Sequence, residues 1–231
     1  MSRVTYDAGN LTIEVDGLDT VAAALGDLKK KTPAAAKVAI NATARQARKL
    51  MIAKAKARYA VNAAGRRHLK DLVQRKKASN TSLSAELHIA KMRNDLGYFQ
   101  HRPTERFTGR EVLHHAPKYV KARVLKASSM AALTGNANMS KGFLVQFKSG
   151  HIGMVQRQIA SSSSHTVTER GHQRWRNKDG KVEKLVTMGS PSASAMHSTV
   201  WPMVEPEVSE YLQDRLMEQT ERVLARAARR K

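Results

Sequence analysis

The sequence predicts an α+β protein in which a long basic helix near the N terminus and an amphipathic helix at the C terminus pack on a mostly antiparallel β-sheet. Three observations carry this. The run from Ala34 to Tyr59 holds no Gly or Pro and is rich in strong helix formers, several short segments alternate apolar and polar residues, and the stretch after Glu205 repeats apolar residues at helical spacing. A length of 231 residues fits one α+β domain over 1–231, with residues 1–17 as an N-terminal strand extension. A chain of this size buries about 70% of the surface its unfolded form exposes.

The elements follow in order. Leu11, Ile13 and Val15 alternate with Thr12, Glu14 and Asp16 as a half-buried strand closed by Gly17, and Val21, Ala24, Leu25 and Leu28 then fall at helical spacing. Thr32 before Pro33 reads as an N-cap with proline in the first turn of a helix of about 27 residues, roughly 40 Å long. On that helix Ile40, Thr43, Ala44, Ala47, Leu50 and Met51 share one stripe, while Lys37, Arg45, Arg48, Lys49 and Lys56 gather on another. Continuing the apolar stripe past Met51 lands on Lys54 and Arg58, so the helix is expected to leave its own core there. After a break at Val61 to Gly65, the segment Arg66 to Lys77 reads as a short basic helix or arm.

Alternation marks further strands at Leu83 to Ala90, Val120 to Leu125 and Val182 to Met188. Phe143, Val145 and Phe147 alternate up to Ser149-Gly150, the turn of a hairpin whose return strand is Ile152 to Gln158. Residues 160–181 are Ser-, His- and charge-rich and read as a mobile polar loop or a β-excursion tipped by Asp179-Gly180. From Glu205-Pro206 onward Val208, Leu212, Leu216, Val223 and Ala227 form one face of the closing helix, with cations at its C-terminal end.

Composition excludes several chemistries. With no cysteine, a disulfide scaffold, a cysteine nucleophile and a thiolate metal site are impossible. Aromatic residues make up 5% of the chain, so the core must be aliphatic. No window approaches the roughly 20 apolar residues of a spanning helix, and the first residues lack the order of a signal peptide. A protein working in a reducing cytoplasm, or in something assembled there, is expected, with no membrane partner. The nine histidines form no His-Glu-x-x-His, and His114-His115 cannot place both rings on one helical face, so no metal is expected. Phosphate-binding Gly-rich patterns are absent, so no cofactor is expected either. Ser161 to Ser164 beside His165 is read as loop composition rather than a nucleophile, which needs a positioned base and an orienting group. The chain is therefore expected not to be an enzyme.

Charge is the strongest signal. The chain carries 41 Lys and Arg against 19 Asp and Glu, a net +22, and the excess is uneven. Residues 1–28 sum to −4, 29–77 to +15 with sixteen bases and one acid, 78–203 to +11 and 204–231 to zero. Such a field attracts polyanions, with nucleic acid, anionic membrane and acidic protein surfaces as the possible partners. Zinc-finger spacing, a basic region with heptads and aromatic-rich stacking strands are all absent, which leaves sequence-independent contact with a phosphate backbone.

Three stretches taken together resemble one family. They are the Ala-rich basic helix from Pro33 to Tyr59 followed by Val61 and Leu69-Lys70, the hairpin pattern Phe-x-x-x-x-Lys-Ser-Gly-His-x-Gly-x-x-x-Arg from Phe143 to Arg157, and Leu185 to Ser192 leading into the closing helix. The chain resembles the minor tail protein Z family of tailed bacteriophages, also called tail completion or neck proteins. The resemblance implies a structural, non-catalytic virion subunit assembled in the host cytoplasm. It implies a ring of six copies at the junction of tail and head, touching the tail terminator and the head-closure or connector proteins. It also implies contact with the end of the packaged double-stranded DNA in the channel.

A magnitude narrows the DNA contact. A compact chain of this length is about 45 Å across, and duplex DNA carries one charge per roughly 1.7 Å, so about 26 phosphates would thread one ring. About four lumen-facing bases per subunit of six would then suffice. Most of the basic excess must meet something else, such as acidic neighbouring proteins. The channel candidates are Lys54, Lys56, Arg58, Arg66, Arg67, Lys70, Arg75, Lys76 and Lys77, at the end of the long helix and in the arm after it. Phe143, Val145, Phe147 and Ile152 are the candidates for contact between subunits. The alternative functions are a free sequence-independent nucleic-acid-binding protein and, third, a basic nuclease-like hydrolase.

Overall fold

The computed structural model describes residues 2–7, 9–15, 18–70, 73–89, 91, 94–108, 119–134, 140–159, 175–176 and 182–229. It is an α+β protein, as the periodicities indicate. In place of one continuous domain, the chain forms two compact units: residues 1–56, 67–92 and 191–231 make the first, and 57–66 with 93–190 the second.

The first unit is a helical layer on a four-stranded antiparallel sheet. Strands β1 (Ser2–Asp7), β2 (Asn10–Val15), β3 (Val73–Lys76) and β4 (Ser84–His88) lie in the order β1-β2-β4-β3. The N-terminal segment is thus a hairpin built into the sheet, not an extension of it. Its turn needs Gly9, whose φ is +96° and where a Cβ would stand 2.9 Å from Ser194 Oγ. The alternation read from the sequence holds: Leu11 and Ile13 on β2 and Ala85 and Leu87 on β4 are buried.

Helix α1 (Asp19–Leu25) leads through a 3₁₀ turn (Gly26–Lys31) into α2 (Thr32–Arg58). Its expected stripe is buried, with Ile40, Thr43, Ala44, Ala47 and Met51 inside, and Ala55 continues the line while Lys54 stays exposed. Asn41 pins the helix to the loop before β4, its amide donating to the Ala78 carbonyl at 3.0 Å and accepting from the Ala78 N–H at 3.1 Å. Thr32 is not the N-cap. It already has helical φ and ψ of −52° and −50°, because the 3₁₀ turn feeds α2 directly, and its buried hydroxyl has no hydrogen-bond partner.

After α3 (Ala63–His68), whose last residues return to the first unit, the basic arm becomes strand β3 rather than continuing as helix. Pairing with β4 overrides the local helix preference. The unit closes with α4 (Ala193–Val200), capped by Ser192 Oγ on the Ala195 N–H at 3.1 Å, and α5 (Glu205–Ala228). Val208, Leu212 and Leu216 of α5 join α2 and the sheet in one core, with Trp201 stacked on Tyr6 at 6.1 Å between ring centroids.

The second unit holds strands β5 (Asn94–Asp95), β6 (Gln100–Arg102), β7 (Phe107–Thr108), β8 (Lys121–Arg123), β9 (Ala131–Ala132), β10 (Phe143–Gln146), β11 (Ile152–Ile159), β12 (Trp175–Arg176), β13 (Val182–Thr187) and β14 (Gly189–Ser190). The main sheet runs β12-β13-β11-β10-β7 and is antiparallel except for the β7–β10 pair. The expected hairpin is β10–β11. Its three-residue loop carries Gly150 at φ +80°, with the Gly150 N–H bonded to the Phe147 carbonyl and the Phe147 N–H to that of His151. Apart from β12, the segment 160–181 lies outside the described residues, as do His114-His115 and the Ser161 to His165 cluster.

Candidate nucleic-acid interface

Helix α2 is the backbone of the basic block. Ala-rich sequence with long-chain Lys and Arg favours the helix, and its apolar stripe is used by the core, so its charges can only face outward. Not one of its 27 residues is acidic.

Of the channel candidates, Lys54, Lys56, Arg67, Lys70, Lys76 and Lys77 belong to the first unit, Arg58 and Arg66 to the second. Lys54, Arg58, Arg66, Arg67, Lys70, Lys76 and Lys77 are exposed, and Lys56 is half-buried. Arg75 sits in β3, and its side chain lies outside the described residues. Lys76 is partly neutralised, since its Nζ pairs with Glu86 Oε1 at 3.3 Å across the β3–β4 ladder. Sequence reasoning placed Arg48 on the basic stripe without a role. The structure gives it one: its Nη2 donates to the Lys70 carbonyl at 2.8 Å and ties the start of the arm to α2. That bond joins residues 22 apart and leaves no local signal in the sequence.

The subunit-contact candidates fare differently. Phe143 and Val145 are enclosed in their own unit, forming a small core with Val155 against which Phe147 and Leu185 pack. Strand β10 pairs with β11 along its whole length and with β7 at Val145 and Gln146. Among the four, only Phe147 and Ile152 keep part of their surface exposed. The physical reason is packing on one face of the sheet, where Leu185, from a strand outside the hairpin, joins Val155 and Phe147 against Phe143 and Val145.

The Gly-His-x-Gly part of the hairpin pattern serves a buried carboxylate. Asp95 Oδ1 accepts from the Gly97 N–H at 2.7 Å and the Met154 N–H at 2.8 Å, and Oδ2 lies 3.1 Å from His151 Nε2. The imidazole is stacked on Phe147 at 5.8 Å between ring centroids. Gly153 is required here, because a Cβ would come within 2.5 Å of Asp95 Oδ2. Sequence analysis missed Asp95, a lone acid outside any periodic run. The cluster fixes a loop to the sheet, and the other ring nitrogen of His151, Nδ1, lies 3.5 Å from the Tyr98 hydroxyl.

His197, also missed, is fully buried, and neither ring nitrogen has a hydrogen-bond partner. Burial pushes its pKa down to about 4. Among the described residues no group of three or more His, Asp or Glu is placed to hold a metal ion, and no helix is long and apolar enough to cross a membrane. No family model, no curated protein and no solved structure matches this chain.

Proposed function

We propose that this chain is a structural subunit of a phage neck or tail junction that completes the tail for head joining and holds the end of packaged duplex DNA through its phosphate backbone. The observation that carries the reading is the acid-free helix α2 and the arm after it, which expose Lys54, Arg58, Arg66, Arg67, Lys70 and Lys77 within a block of net charge +15. Cations on long flexible stems at irregular spacing suit a partner whose charge is uniform along its length, and they read no bases. The likeness of the hairpin to the neck-protein pattern supports the virion setting. Six copies would supply more base than the DNA needs, so the remaining charge is available to protein neighbours.

The test replaces Arg66, Arg67, Lys70, Arg75, Lys76 and Lys77 together with Ser. Particles carrying that chain are expected to assemble and then lose or fail to deliver their DNA. Particles of normal infectivity would remove these residues from the channel, and a purified chain that nicks plasmid with Mg²⁺ would transfer the reading to a hydrolase.

A further inference from the structure

Helix α2 presents an outward line made by Val38, Ala42, Arg45 and Lys49, at steps of four, three and four residues, which keeps them within one narrow face. Arg45 and Lys49 are exposed, and Val38 is 44% exposed, unusual for an aliphatic residue inside a basic stripe. Helix α5 of the same unit carries a line of matching pitch: Glu210, Asp214, Met217, Glu221 and Leu224, at steps of four, three, four and three. Its acids are exposed, and so are Met217 at 59% and Leu224 at 41%. None of Arg45, Lys49, Glu210, Asp214 and Glu221 forms an ion pair among the described residues.

The two lines match when run antiparallel in a single register. Placing Ala42 against Met217 sets Arg45 against Asp214 and Lys49 against Glu210, and brings Val38 level with Glu221, between Met217 and Leu224. A parallel arrangement with the same central pair faces Arg45 with Glu221 but leaves Lys49 beside Leu224, so it makes one ion pair where the antiparallel one makes two. Steps of three and four on both helices are the geometry of antiparallel side-by-side packing, with a small residue facing a large one.

We infer that α2 of one copy of this chain docks antiparallel on α5 of a second copy, with Ala42 facing Met217 and Arg45 and Lys49 facing Asp214 and Glu210. The contact joins two different surfaces, so it is heterologous, and repetition yields a ring when the rotation closes. It deepens, and rests on, the reading of the chain as a collar subunit. A helix face this short covers a few hundred Å², below the roughly 800 Å² per partner of a standard interface, so one contact is weak and closure of the ring holds it. Duplex DNA is the other partner that α2 could take, but phosphates have no use for an exposed Val38 or for the acidic counterpart on the same chain.

Because the chain has no cysteine, the contact can be trapped. Folded chains carrying Ala42→Cys, mixed with chains carrying Met217→Cys under mild oxidation, are expected to give a disulfide-linked heterodimer in excess of either homodimer. Adding Arg45→Glu and Lys49→Glu to the first chain is expected to lower the yield at least about five-fold at low salt, and adding Glu210→Lys and Asp214→Lys to the second to restore it. Absence of the heterodimer, or no recovery in the double reversal with both chains folded by circular dichroism, overturns the contact. So does a reversal on α2 that spares the linkage and abolishes duplex binding. Sedimentation of the wild-type chain separates the failures: a multimer without linkage sinks this contact alone, and a monomer without linkage sinks the collar reading with it.

Discussion

Thr32 and His197 show what single buried polar groups do in this fold. The Thr32 hydroxyl is enclosed without a partner, a desolvation cost with no hydrogen bond to offset it. Thr32→Val keeps the shape and is expected to stabilise the first unit by about 1 kcal/mol in urea denaturation. His197 has the opposite dependence from a salt-bridged histidine. Its pKa is near 4 when folded and about 6.5 when unfolded, so the unfolded chain takes up its proton first as pH falls. Its share of stability is intact above the unfolded value and is lost between about 6.5 and 4, to a limit of roughly 3 kcal/mol. Denaturation midpoints at pH 7 and pH 5 should separate for the native chain, and His197→Leu should narrow the gap. In the second unit, Asp95→Ala leaves the Gly97 and Met154 N–H groups unpaired, and a loss of about 3 kcal/mol is expected.

Among the elements, the hairpin and the arm were legible to different degrees. The β10–β11 pairing and its Gly150 turn follow from alternation and turn chemistry alone, because both are set within fifteen residues of sequence. That β10 is an interior strand was not legible, since β7 reaches it from outside the hairpin. Val145 pairs with both Gly153 and Phe107, so Val145→Pro removes a ladder donor from an interior strand and is expected to cost about 3 kcal/mol or more, measured as loss of the cooperative unfolding transition. The arm shows the converse. Arg66 to Lys77 has no alternation to announce a strand, and β3 exists because β4 offers it a free edge.

At the scale of the molecule, charge is the property that reaches a partner. If the arm and the end of α2 touch phosphates, the logarithm of duplex affinity should fall linearly with the logarithm of salt, and the six-Ser chain should lose up to about 5 from that slope. An unchanged slope would place the contacts elsewhere. The channel candidates fall in two units, Lys54, Lys56, Arg67, Lys70, Lys76 and Lys77 in one and Arg58 and Arg66 in the other. Within the first unit the Lys76 charge is shared with Glu86.

By itself the amino-acid order determined the helices α2 and α5, the faces they bury, the alternating strands, the Gly150 turn and the uneven charge. These follow from periods of 3.6 and 2 and from local turn chemistry, which neighbouring residues settle among themselves. Tertiary structure alone decided the division into two units, the strand in the basic arm, the burial of Phe143 and Val145 and the Asp95 cluster. Each of those depends on a partner brought from a distant part of the chain, and a contact between remote residues leaves no periodic trace in either one.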